Sequence, residues 1–231
     1  MNYQPPPNGW RTFLIMWGTQ SVSAFGSALT FFALNIWLTQ TLYPLPEQKP
    51  QLAWAISAIG IAFALPMVFG APLAGAWADR HDRKRTMMVM DFANGLLSLA
   101  TALLVMAGVL QLWMLLGIVA LLSFCGAFHG AAFDTSYAML VPEARLPRAN
   151  GMMQTMWSLS GILSPAIAAT IIAVPGLARQ GALGPGLQTF LGGFKDGAAL
   201  AMLVDALTFF GAAATLLFLF VPSPKRTDLH G

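Results

Sequence analysis

LAWAISAIGIAFALPMVFGAPLAGAWADRHDRKR, running from Leu52 to Arg85, carries the information that decides the fold. Its first 27 residues, Leu52 to Ala78, contain no charged side chain, whereas six of the last seven, Asp79 to Arg85, are charged. A helix crosses a hydrocarbon core of about 30 Å with about 20 apolar residues, so the first part reads as a membrane span and the second as a turn held in water. The same length test, moved outward, selects five more spans at residues 13–39, 86–109, 112–141, 149–174 and 197–221. The fourth and fifth of these six spans in chain order are 112–141 and 149–174. Within the six, the potentially charged groups are Asp91, His129, Asp134 and Asp205. The runs are continuous rather than alternating, which excludes a closed β-barrel. The expected fold class is all-α, a polytopic membrane protein, with Pro66 and Pro72 as candidate kinks in the second span and the first two spans long enough to tilt.

Composition agrees. The 231 residues are 57% hydrophobic and 9% charged, against about 25% charged in an ordinary soluble domain. A pI near 9.4 does not indicate a nucleic-acid partner, because the basic residues stand at the ends of apolar runs and act as topology signals toward anionic lipid. With residues 1–12 in the cytoplasm, Arg11, Arg80, Arg83, Lys84, Arg85, Arg145, Arg148, Lys225 and Arg226 lie inside, and only Lys49, Arg179 and Lys195 lie outside. The asymmetry predicts a multi-pass protein of the cell membrane with both termini, including the tail 222–231, in the cytoplasm. The first apolar stretch exceeds a signal-peptide core of about 7–15 residues, so it reads as a retained helix. Cys125 is the single cysteine, so neither a disulfide framework nor a cysteine metal site forms within the chain. The outer loop from Ala178 to Asp196 is Gly-rich and reads as irregular or partly interfacial.

The turn Gly75-Ala-Trp-Ala-Asp79-Arg80-His81-Asp82-Arg83-Lys84-Arg85 combines a glycine, a carboxylate and a basic run at fixed spacing. It resembles the signature loop of the major facilitator superfamily, and Asp82, where the family often has glycine, is similar to the macrolide-efflux-like branch. A glycine four residues before the acid permits close helix approach, and a carboxylate at a helix end can stabilise the positive N-terminus of a neighbour. The resemblance implies a conformational-switch loop in which Asp79 acts against a helix of a second half. A further likeness covers Leu140-Val-Pro142-Glu143-Ala-Arg145-Leu-Pro-Arg148-Ala-Asn150-Gly151; Pro142 can end one helix, and Asn150 either caps or braces the next or is simply a polar residue at the membrane surface. On the fifth span Ser160, Ser164-Pro165, Ala168 and Ala169 echo a family antiporter pattern with Ser and Ala in place of glycine; small residues at such spacing are more often ordinary helix packing, so they do not indicate antiport. The implied architecture is one six-helix half of the family fold, built from two inverted three-helix repeats.

In that fold the first and fourth helices line the central cavity. Gln20, Ser23, Ser27 and Thr30 share one face of the first span, which fits either a wet cavity wall or a helix seam with hydroxyls bonded to backbone. The first span carries no carboxylate. His129 and Asp134 on the fourth are the other candidates for cavity and substrate contact, and their five-residue separation, about 140° around a helix, argues against a direct pair. Ionisable groups in a span are costly and hence functional candidates; Asp134, Asp205 and Asp91 are the candidate proton-coupling groups. For Asp91 a pairing with Arg83 to Arg85 is the simple alternative, and for Asp205 a structural role.

The expected function is secondary active efflux of small amphipathic or drug-like molecules by alternating access, possibly driven by proton exchange. Its partners are the lipid bilayer, a small-molecule substrate, and a second six-helix half or second copy. A nontransporting six-helix subunit or truncated remnant needing a partner half is the competing reading. An intramembrane serine protease is disfavoured: Ser158-Leu-Ser160-Gly161 only loosely resembles a nucleophile motif, and the one later histidine, His230, is in the tail. Neither a phosphate-binding loop nor a metal-ligand cluster appears in the sequence, so no cofactor and no enzymatic activity are expected.

Overall fold

The computed structural model describes residues 5–182 and 184–222. Its helices are α1 (Gly9–Trp37, extended by a wide turn to Leu42), α2 (Lys49–Arg80), α3 (Arg83–Ala107), α4 (Leu112–Leu140), α5 (Leu146–Arg179), α6 (Pro185–Gly192) and α7 (Ala198–Phe218). All but α6 are long and apolar enough to cross a membrane, and no strand occurs among the described residues. The chain is a multi-pass, all-helical membrane protein. Several helices run past their apolar stretches, as α2 does from Lys49 to Arg80, because backbone hydrogen bonding continues into the interface beyond the hydrocarbon. α2 stays helical through Pro66 and Pro72. α3 ends on Gly108 at φ +69°, the left-handed conformation that glycine adopts without a Cβ clash. Most of the tail 222–231, with Lys225, Arg226 and His230, lies outside the described residues, as do residues 1–4 of the N-terminal segment.

α1 packs along α7 and α5, α3 along α7 and α4, and α2 along α4. Two apolar cores fill the two ends of the bundle. Phe13, Met16, Met87, Phe133, Leu140 and Leu216 form the core at the end where α1 begins. Leu34, Trp37, Leu38, Leu115, Val119 and Met202 form the other. The stratum between them, where Gln20, Asp91, His129 and Asp205 sit, is polar.

The first of these ends is basic. Lys84 Nζ donates to the Leu217 carbonyl at 3.0 Å, Arg83 Nε to that of Ala78 at 3.2 Å, and the guanidinium carbons of Arg145 and Arg148 lie 5.1 and 5.6 Å from the Trp10 ring centroid. These contacts gather the start of α1, the α2–α3 and α4–α5 turns and the end of α7 at one face. At the opposite end Thr41 Oγ1 donates to Asp196 Oδ2 at 2.9 Å and Arg179 donates to the Phe194 carbonyl at 2.7 Å. The loop from Ala178 to Asp196 therefore contains an ordered helix, α6, clasped by Arg179, and not irregular chain throughout.

Asp82 is the N-cap of α3 and accepts from the Arg85 amide at 2.7 Å. Asp82→Ala removes an acceptor for an otherwise orphaned amide and is expected to cost about 1 kcal/mol, read as a lower thermal midpoint in detergent. Trp10→Ala, which removes the ring beneath two guanidinium groups, is expected to cost about 1 kcal/mol by the same measurement.

Candidate functional site: a buried polar stratum

On α1, Gln20 and Ser27 are seven residues apart, and on α3 so are Asp91 and Ser98. Seven residues make nearly two turns, about 10 Å of rise, so each pair marks two levels on one helix face. The side chains meet level by level. At the level nearer the basic end, Gln20 Nε2 donates to Asp91 Oδ2 at 2.9 Å, and His129 Nε2 of α4 stands 3.2 Å from Asp91 Oδ1 without hydrogen-bond alignment. At the farther level, Ser98 Oγ donates to Asp205 Oδ2 at 2.8 Å and Ser27 Oγ to Asp205 Oδ1 at 3.2 Å. Asp91 and Asp205 are 1% and 2% exposed. Between the levels in sequence are Ser23 and Asn94, both buried, whose Oγ and Oδ1 find no hydrogen-bond partner among the described residues.

The two carboxylates differ in surroundings. Asp205 is held by two hydroxyls, and Gly26 lets α1 come close beside it: a Cβ there would lie 2.5 Å from Thr208 Oγ1 and 2.9 Å from Asp205 Oδ1. Asp91 instead faces the imidazole of His129, which is 16% exposed. Burying a carboxylate without compensation is costly; Asp205 is compensated by hydroxyls and Asp91 by an amide and an imidazole.

The sequence candidates thus separate. Gln20, Ser23, Ser27, His129, Asp91 and Asp205 converge on one stratum. Asp91 turns toward Gln20 and His129, not toward the basic run: Arg83 is engaged by the Ala78 carbonyl, and among the described residues no Arg83 to Arg85 side chain pairs with Asp91. Asp134 is exposed near the basic end of α4. Helix α1 has no carboxylate of its own but receives two, from α3 and α7, which a reading of α1 alone could not foresee. Ser98 and Asn94 were missed; their signal is the 91/94/98 polar register on an otherwise apolar helix, matching 20/23/27 on α1.

Among the loop candidates, Arg80 and Arg85 are exposed. Asp79 is exposed in the last turn of α2 and makes no ion pair among the described residues. A Cβ on Gly75 would meet nothing within 4 Å, so no close helix approach occurs at that glycine among the described residues. Asn150 lies inside α5 rather than at its cap, and its Oδ1 accepts from Tyr137 Oη at 3.1 Å, bracing α4 against α5. Ser164 is buried and Pro165 half-buried on the narrow stripe of α5 that faces the bundle. Among the described residues no group of three or more His, Cys, Asp or Glu side chains is placed to hold a metal.

Residues 16–230 match the family model described as Major Facilitator Superfamily. The chain is 30% identical over 168 residues to "Macrolide efflux protein A" of Streptococcus pyogenes, covering 72% of this chain and 40% of that protein. It is 33% identical over 110 residues to "Macrolide efflux protein A" of Enterococcus faecalis, covering 48% and 34%. With "Multidrug efflux pump Tap" of Mycobacterium tuberculosis the identity is 29% over 177 residues, covering 71% and 38%. The chain spans about two fifths of the length of these curated relatives. No solved structure matches it.

Proposed function

Since the chain belongs to the Major Facilitator Superfamily, we propose that it forms the N-terminal six-helix half of a secondary efflux transporter that exports small amphipathic or drug-like molecules by alternating access, in exchange for protons. The unit comprises the six spans between residues 13 and 221, set in the cell membrane with both termini cytoplasmic, so that the basic end faces the cytoplasm. The names of the relatives support efflux. The placement of Asp79 supports the half: the C-terminal end of a helix carries negative partial charge, the wrong place for a carboxylate, and Asp79 sits there exposed without an ion-pair partner among the described residues. A helix N-terminus from a second six-helix unit would satisfy it, and Gly75, one turn earlier with open space beside it, would let that helix come near. Arg80, Arg83, Lys84 and Arg85 anchor the turn. The fold and family favour no enzymatic role.

Proton exchange falls to Asp91, with His129 as its link to water; Asp205 holds α1, α3 and α7 together. Gln20 positions Asp91, and Ser23 and Ser27 carry polarity across the stratum. Asp134, at the mouth of α4, meets substrate or solvent.

The test is accumulation of a labelled macrolide in a sensitive bacterial host expressing the complete open reading frame to which this chain belongs. Lower accumulation, reversed by a protonophore and weakened by Asp79→Asn, is expected; unchanged accumulation over a broad panel of amphipathic compounds rejects efflux.

A further inference from the structure

A groove of about 590 Å³ runs between α1 and α7, and a second recess of about 300 Å³ follows it toward Leu29. Leu14, Ile15 and Val22 wall one side and Val204 and Leu207 the other. Its depth comes from Gly18 and Gly211, where a Cβ would meet nothing within 4 Å. Its hydroxyls are already used: Thr19 donates to the Ile15 and Met16 carbonyls at 3.1 Å, Thr208 to that of Asp205 at 2.7 Å, Thr215 to that of Gly211 at 2.8 Å. The groove therefore offers no hydroxyl donor to a ligand, and its chemistry is that of hydrocarbon.

Its length and its charge specify the ligand further. From Leu14 to Val22 is about 12 Å of helix, close to the roughly 15 Å of one leaflet's hydrocarbon. Arg11 precedes Leu14, Ile15 and Gly18 by three, four and seven residues, and so stands on the same helix face. Helical side chains lean toward the N-terminus, which carries the guanidinium toward the headgroup layer at the basic end. Arg11 is exposed and makes no ion pair among the described residues.

We infer that this groove is a binding site for an anionic phospholipid of the leaflet at the basic end, one acyl chain lying over Gly18 and Gly211 and the phosphate on Arg11. The inference rests on membrane embedding and is independent of transport.

Native mass spectrometry of the purified protein, exposed to equal amounts of phosphatidylglycerol and phosphatidylcholine, tests it. Phosphatidylglycerol should be retained preferentially, and Arg11→Gln should weaken that retention about 5-fold, the effect of one cation at a membrane surface. Gly18→Leu with Gly211→Leu, which fills open space without a clash, should abolish retention of both lipids while circular dichroism stays helical. Arg179→Gln, at the opposite end, should leave the preference for phosphatidylglycerol in this groove unchanged. Undiminished phosphatidylglycerol retention in Arg11→Gln or in the filled variant overturns the inference. So does a dimer mass that disappears on filling the groove, which would make the occupant a second copy.

Discussion

Gly26→Leu is expected to destabilise the bundle by about 3 kcal/mol, the upper range for overpacking a close contact. The equivalent change eight residues earlier, Gly18→Leu, should leave stability nearly unchanged. Both glycines lie on α1, and their contrast comes from what faces them. At Gly26 an added Cβ stands 3.1 Å from the Asp205 Cα as well as against the Thr208 hydroxyl and the Asp205 carboxylate. Backbone cannot yield as a side-chain tip can, and parting α1 from α7 would also break the Ser27–Asp205 hydrogen bond of 3.2 Å. At Gly18 there is only the groove. Thermal denaturation of the two variants in one detergent measures the difference directly, and equal midpoints would mean that α1 and α7 do not meet at Asp205.

Asp91→Asn should reduce uphill transport by more than 10-fold while substrate binding remains, whereas Asp205→Asn should retain most transport at lower stability. The amide in Asp91→Asn can still accept from Gln20 but cannot carry a proton, so under the role proposed for Asp91 exchange stops although the fold stands. For Asp205 both oxygens accept from serine hydroxyls; an amide there sets a donor against one of them and loosens a three-helix joint. Transport into proteoliposomes against a concentration gradient, set beside equilibrium substrate binding, separates the two outcomes. Equal loss in both variants would place the proton on the whole stratum and not on Asp91.

The six spans were legible because length and the absence of charge are one-dimensional properties, as in the uncharged run from Leu52 to Ala78. The charged turn from Asp79 to Arg85 was legible for the same reason, being contiguous. Pairings across helices were not. That His129 would approach Asp91, rather than neither partner or Asp134, depends on how α4 rotates against α3, which periodicity on α4 alone leaves open. Arg83 illustrates the same limit: its side chain was close enough in sequence to neutralise Asp91, yet bends to the Ala78 carbonyl because α3 carries Asp91 about two turns into the bundle, toward α1. The short helix α6 escaped notice because its eight residues are too few to show a helical period among glycines. The groove between α1 and α7 escaped because it requires two helices at once.

Substrate-triggered proton movement is the direct readout of the proposed exchange. Proteoliposomes holding the complete protein and a trapped pH-sensitive dye, with an outward proton gradient imposed, should show proton release when a macrolide is added, and none with Asp91→Asn. Macrolide movement with no accompanying proton movement, or proton movement that persists unchanged in Asp91→Asn, would contradict proton exchange through Asp91.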